Sequence, residues 1–148
     1  MSFENWRVSR WIDQHESSPE EMGDLLALAD RDLQTCQTPG LNEDWRLAIA
    51  YNAVLQLATA ALAAAGFRAG HQSHHYYVIE SLRYTLGLDP QAVEQFQAFR
   101  KKRHRGGYDR AGTVSAEEAD ELFGLAKKLR GEIEVWLRRN HPKLLLDD

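Results

Sequence analysis

The sequence predicts an all-α protein, an antiparallel bundle of about four long helices with one or two short ones. Three observations predict this class. Apolar residues recur at steps of three, four and seven, helix-capping signals precede these runs, and no segment alternates apolar and polar residues as a strand would. With 148 residues, the chain has the length of one domain. We predict a single helical domain over residues 1–142 and a C-terminal tail over residues 143–148.

Two helices are predicted before residue 40. A short helix lies around residues 6–12. The second helix has Ser18 as its N-cap, Pro19 at its first position and Glu21 to complete a capping box. Apolar residues then follow at helical spacing until Thr-Pro-Gly at residues 38–40 ends the helix.

The third predicted helix is the most apolar segment of the chain. Asn42 caps it and Gly66 ends it. Residues 47–67 carry no charge and have about the length of a membrane span, but they are largely alanine and include polar side chains, so we predict a central helix of a bundle and no membrane contact. Its predicted inner face is Trp45, Ala48, Ile49, Leu55 and Leu62.

The second half of the chain predicts three further helices. One covers residues 73–86, the next opens at Asp89 and Pro90 and runs to a Gly-Gly pair at residues 106–107, and the last follows a capping box of Ser115 and Glu118. His141 and Pro142 end the last helix. The residues predicted to form the core are Leu55, Leu62, Ile79, Leu82, Phe96, Leu129 and Ile133.

The feature most informative about function is a basic stretch over residues 99–110. It holds six of the 18 lysines and arginines but one of the 22 acidic residues, in a chain with a net charge of -4. A positive patch on an acidic body favours a phosphate-bearing partner, because each cation can neutralise a phosphate and release counterions. The alternative is a solvated helix end, where cations complement the helix dipole.

The order of residues within the stretch favours the functional interpretation. Arg103 and His104 place a guanidinium beside an imidazole, which titrates near neutral pH. The Gly-Gly pair allows a close turn that brings Tyr108 back toward Arg103. Candidate ligand-binding residues on this stretch are Arg100, Lys101, Lys102, Arg103, Arg105 and Tyr108, and the candidate catalytic residues are Arg103, His104 and Tyr108.

At these residues the sequence resembles the HEPN superfamily, small all-α nucleotide-binding domains of higher eukaryotes and prokaryotes. Their signature is an Arg, a polar residue, a short spacer and a closing His. Arg103 matches the Arg, His104 matches the polar residue, and Tyr108 stands in place of the closing His. The resemblance implies a homodimer or a heteromeric partner, with motif helices of two subunits forming one basic cleft.

The resemblance also implies the range of activities. Active HEPN members are metal-independent endoribonucleases, and others pair with minimal nucleotidyltransferases in toxin–antitoxin modules or serve as nucleotide-binding subunits. A phenol, whose pKa is ordinarily about 10, is a poor base at neutral pH. We therefore predict an RNA- or nucleotide-binding protein with reduced or no nuclease activity. The alternatives are an active endoribonuclease of toxin type and a helical interaction module without a nucleic-acid ligand.

A second constellation lies at residues 71–77, where His71 and His75 are four residues apart, a spacing compatible with a metal site. Two imidazoles without a nearby thiol make a poor site, so no metal or other cofactor is predicted. Instead, His74 and His75 are candidates for the same cleft as Arg103. The lone Cys36 permits no internal disulfide, and the expected location is the cytoplasm.

Overall fold

A computed structural model of the chain describes residues 3–70, 74–106 and 114–145, without the side chains of residues 104–106. Within these ranges the helices are α1 (Phe3–Val8), α2 (Pro19–Thr35), α3 (Glu43–Ala64), α4 (His74–Glu80), α5 (Leu82–Thr85), α6 (Pro90–Gly106) and α7 (Ala116–Asn140). The strands are β1 (Ile12–Gln14) and β2 (Phe67–Ala69), and a 3₁₀ turn at Pro142–Leu144 follows α7. The predicted all-α class is confirmed.

Helix α3 is the centre of the bundle. It packs mainly against α2 and α7, and also contacts α4 and α6. Among the described helices it is the one long and apolar enough to cross a membrane, yet 61% of its apolar window is buried inside the protein. This burial fits the core helix of a soluble bundle, as the sequence indicated.

The predicted inner face of α3 is confirmed at Leu62, which is 1% exposed, but is wrong at Trp45. Trp45 is 61% exposed, and Leu55 is only partly buried at the edge of the core. The residues that α3 buries completely or nearly so are Leu47, Ala50, Tyr51, Ala53, Val54, Leu57, Ala58, Ala60, Ala61, Leu62 and Ala63. Because nearly every face of this helix is apolar, periodicity could not single out the face that meets α2 and α7.

The remaining predicted core residues are confirmed. Leu62, Ile79, Leu82, Phe96, Leu129 and Ile133 are each at most 3% exposed. They come from five helices, α3 to α7, so a single core joins the elements on both sides of α3. Beyond α7, the segment predicted as a tail begins within the 3₁₀ turn, and Leu144 and Leu145 pack against this core.

Capping residues fix the helix starts as predicted, with one correction. The side chains of Ser18, Asn42 and Ser115 accept hydrogen bonds from the backbone three residues later. Ser115 and Glu118 form a reciprocal capping box. Glu21 does not complete the box at Ser18, since its carboxylate instead accepts from the Ser17 hydroxyl at 2.6 Å and lies 2.9 Å from His15 Nε2.

The first predicted helix is displaced toward the N-terminus. α1 ends at Val8, and Ile12 opens strand β1, which pairs antiparallel with β2 through Ile12 opposite Ala69. Three-residue strands are too short to show an alternating pattern in the sequence. The pair covers one end of the core, where Ile12 is fully buried.

The helix predicted over residues 73–86 is broken into α4 and α5 at Ser81. This serine is fully buried, and its hydroxyl donates to the Val78 carbonyl at 2.6 Å. A buried serine that bonds to the preceding turn satisfies its own hydroxyl but competes with the helical hydrogen-bond pattern. Helix α4 contacts both α3 and α6.

Gly70 is expected to be intolerant of a side chain. A Cβ there would lie 2.7 Å from the Arg10 carbonyl oxygen and 3.3 Å from that of Trp11. Gly70→Ala should lower the free energy of unfolding by about 1–3 kcal/mol in urea denaturation, because backbone must move. Gly23 is at an exposed position of α2, and a Cβ there would meet nothing within 4 Å, so Gly23→Ala should raise the free energy of unfolding by about 0.5–1 kcal/mol. Equal effects of the two substitutions would contradict this packing.

Candidate functional site

The last described turns of α6 place Arg103 against α3. Its guanidinium carbon lies 5.4 Å from the centroid of the Tyr51 ring, a cation–π distance. Its Nε is buried and has no hydrogen-bond partner among the described residues. A buried guanidinium N–H without an acceptor is costly, so a rearrangement that brings an acceptor to it would be favoured.

Tyr51 connects Arg103 to α4. It is 1% exposed, and its hydroxyl lies 3.2 Å from Nδ1 of His75. Burial raises the pKa of Tyr51 to about 12, although Arg100 and Arg103 oppose the shift. The phenol is therefore protonated at neutral pH and can donate to Nδ1, and in that tautomer the proton of a neutral His75 lies on Nε2.

His75 is held in its neutral form. Burial, and then the charges of His74, Arg103 and Arg100, lower its pKa from the ordinary value of 6.5. A neutral imidazole whose Nδ1 accepts from Tyr51 has one N–H left to donate. In that tautomer His75 can act as a hydrogen-bond donor to an oxygen beside the two arginines.

Arg100 is positioned by a hydrogen-bonded chain between α6 and α4. Its Nε donates to Gln97 Oε1 at 2.7 Å, and Gln97 Nε2 donates to Glu80 Oε2 at 2.9 Å and to the Tyr76 carbonyl at 3.1 Å. Gln97 is 8% exposed, so burial favours this arrangement. The Arg100 guanidinium also lies 5.7 Å from the Tyr76 ring, which is 40% exposed.

The cations of this site, apart from Lys102, form no direct ion pair within the described part of the chain. Arg100, Lys101 and Arg103 form no ion pair with a described carboxylate. Lys102 differs from them, since its Nζ pairs with Glu118 Oε2 at 3.1 Å. We call Tyr51, His75, Tyr76, Arg100 and Arg103 the arginine–tyrosine site.

The structure brings together some of the residues predicted from the sequence. Arg103 and His75 both contact Tyr51, and His74 is exposed with its ring 5.7 Å from that of His75. Lys101 is exposed on α6. His104 and Arg105 belong to α6 by their backbone, but their side chains lie outside the described residues, as do His71 and Tyr108 entirely.

Tyr51 and Gln97 were missed at the sequence level. The signal for Tyr51 was a phenol within a run of alanines and leucines, where its hydroxyl would need a buried partner. Gln97 lies between the apolar residues Phe96 and Phe99, just before the basic stretch, and nothing in its spacing distinguishes it. Both residues matter because they fix the two arginines.

Other chemistries find less support in the described residues. Burial raises the pKa of Cys36 to about 11, so this thiol stays protonated. No group of three or more His, Cys, Asp or Glu side chains comes together there as a metal site would require. Comparison with known proteins gives no match to a family model and no significant match to a curated sequence.

Neutral His75 predicts a specific pH dependence of stability. The pKa of His75 is lower in the folded chain than in the unfolded chain, so near pH 6.5 the unfolded chain binds more protons. The free energy of unfolding should therefore fall as the pH decreases from about 7 through 6.5, until the pH reaches the pKa of the folded state. Urea denaturation across this range should show the decrease in the parent and a weaker one in His75→Gln. The same slope in both proteins would contradict burial of a neutral His75.

Glu21 contributes to the pH dependence of stability only at more acidic pH. Burial raises the pKa of its carboxyl, but the interactions with Ser17 and His15 outweigh burial and lower the pKa from 4.5.

Proposed function

We propose that this chain binds RNA or a nucleotide at the arginine–tyrosine site, with reduced or no nuclease activity. The observation that carries the proposal is the pair of neighbouring cations on α6, with Arg103 over the Tyr51 ring and Arg100 over the Tyr76 ring, neither of them in an ion pair with a described carboxylate. Guanidinium groups bind phosphate through paired hydrogen bonds of fixed geometry. The buried, unpartnered Nε of Arg103 is the donor that a phosphate oxygen would satisfy.

The site offers contacts for more than one part of a nucleotide. Arg103 and the Nε2–H of His75 would bind phosphate oxygens, with Lys101 adding charge from the exposed face of α6. The exposed ring of Tyr76 would stack on a base, as aromatic side chains do with single-stranded nucleic acid. These contacts favour RNA or a nucleotide over an isolated phosphate ion.

The contact between Tyr51 and His75, together with Tyr108, is the reason to propose reduced or no nuclease activity. Cleavage through the RNA 2′-hydroxyl needs a base, and a His75 whose Nδ1 accepts from Tyr51 would carry its proton on the other nitrogen. With Tyr108 in place of the closing His of the HEPN signature, no strong base is evident among the residues proposed. The HEPN resemblance further suggests a homodimer or a cognate nucleotidyltransferase or antitoxin partner in the cytoplasm, which would complete the cleft.

Two adjacent lysines provide a matched test of this proposal. The affinity for a labelled single-stranded RNA, measured by fluorescence anisotropy, should be lower for Lys101→Gln than for the parent. The slope of log K against log salt should decrease by about 0.7 per lost phosphate contact. Lys102→Gln should change both less, because Lys102 is already paired with Glu118. Incubation of the RNA in EDTA should show little cleavage.

The outcomes separate the three candidate functions. No binding of varied RNAs or of nucleotides at low salt would contradict the proposal and favour an interaction module. Rapid cleavage in EDTA that disappears in an Arg103 variant would establish the active endoribonuclease instead. Equal effects of the two lysine substitutions would place the ligand away from the side of α6 that carries Lys101.

A further inference from the structure

A second surface lies on α7, away from the arginine–tyrosine site. A groove of about 560 Å³ runs between α7 and Leu86, at the end of α5. Its apolar lining includes Leu86, the half-buried Trp136 and Val135, which is 51% exposed. The core-facing side of α7 packs on α3 and α2, so these residues belong to a different face of the helix.

The groove has the shape that a helix fits. One row of residues, each four positions after the last, lines the groove along α7 and extends for about 18 Å along the helix axis. The row consists of Lys127, Gly131, Val135 and Arg139. Gly131 lies in the middle of this row, and a Cβ built there would meet nothing within 4 Å. The row is therefore a ridge with a gap at its centre, into which a partner side chain could insert.

The charge of the groove is opposite to that of the chain. Lys127, Lys128 and Arg139 line it with Glu132 as the one acid, whereas the whole chain has a net charge of -4. Lys128, Arg139 and Glu132 form no ion pair with any described residue. A second copy placed across a two-fold axis would bring these cations together, so self-association through this groove is disfavoured.

We propose that this groove binds an acidic amphipathic helix of a partner protein. Apolar residues of that helix would contact Leu86, Val135 and Trp136, and its carboxylates would pair with Lys128 and Arg139. RNA fits the groove less well, because Leu86 and Val135 are aliphatic and Trp136 already contacts the His141 ring at 4.9 Å. The proposal is independent of the ligand at the arginine–tyrosine site.

A display library of helical peptides tests the proposal. Sixteen-residue peptides, about 24 Å long when helical, would carry leucine at positions i, i+3, i+4 and i+7 and random residues elsewhere, and would be selected on the full chain. Selected peptides should be enriched in Asp and Glu. Their affinity should fall about tenfold or more for the double variant Lys128→Glu/Arg139→Glu, by the general cost of like-charge contacts.

Two further variants keep the result interpretable. Gly131→Trp should also abolish binding by filling the groove, and circular dichroism and thermal denaturation would establish that it folds. Arg31→Glu, at an exposed position of α2, should leave peptide affinity unchanged.

The proposal is overturned by failure to enrich any peptide, by enrichment of peptides without an acidic excess, or by binding that the groove variants do not weaken. A single-stranded RNA that binds the parent but not Lys128→Glu/Arg139→Glu, while Arg103→Ala still binds it, would overturn it in favour of a nucleic-acid groove.

Discussion

Arg103→Ala is expected to weaken RNA or nucleotide binding by about 10- to 100-fold, the effect of losing a hydrogen bond between charged groups. The reason is its position, with the guanidinium over Tyr51 and a buried Nε that has no described acceptor. Loss of the cation–π contact with the buried Tyr51 should cost about 1–2 kcal/mol of stability. Binding by anisotropy or calorimetry, with urea denaturation alongside, measures both effects.

Two substitutions control this experiment. Arg31→Ala removes an arginine that is exposed and paired with its neighbour Asp32, so it should leave ligand affinity unchanged. Arg103→Lys keeps the charge but loses the planar donor geometry, and its affinity should fall between those of the parent and Arg103→Ala. If a folded Arg103→Ala protein binds the ligand as tightly as the parent does, Arg103 does not contribute to ligand binding.

Leu57→Ala is expected to lower the free energy of unfolding by about 2–5 kcal/mol, because it leaves a cavity in the centre of the bundle. Leu57 is fully buried on α3, between the helices that pack on both sides of it. Leu55→Ala is the matched control, since it deletes the same atoms from the same helix at a partly buried position. It should cost clearly less in urea denaturation.

This pair of substitutions tests the rotation of α3 about its axis. A larger loss for Leu55→Ala than for Leu57→Ala would mean that α3 presents the face containing Trp45 and Leu55 to the core. That rotation would also turn Tyr51 away from α4 and α6, and the arginine–tyrosine site would not form. The stability measurement therefore bears on the site as well as on the fold.

The helix boundaries were predictable where local chemistry fixes them. Ser18, Asn42 and Ser115 bond to backbone within their own helices, so the signal is complete in a few residues of sequence. The failures concern features decided by distant contacts. Ser81, at which the helix is interrupted, is buried in the core, and Ile12 joins a strand because Ala69 pairs with it.

The site was predictable in part for the same reason. The charge of residues 99–110 and the histidines of residues 71–77 are visible in the sequence, and Arg103 and His75 do come together in the structure. Their common contact is Tyr51, from a helix that sequence periodicity could not orient. Which cations are free also depends on tertiary structure, because Lys102 pairs with Glu118 of α7 whereas Lys101 is exposed.

The most direct measurement of the central claim is nuclear magnetic resonance of the arginine side chains. Titration of single-stranded RNA or a nucleotide into the ¹⁵N-labelled chain, observed at the Nε–H groups, should shift the signals of Arg103 and Arg100 first. The signal of Arg130, held by Asp30 and Glu134 on the other side of the bundle, should stay in place. Saturating ligand that leaves the Arg103 signal unchanged, or that shifts only arginines outside α6, would contradict phosphate binding at the arginine–tyrosine site.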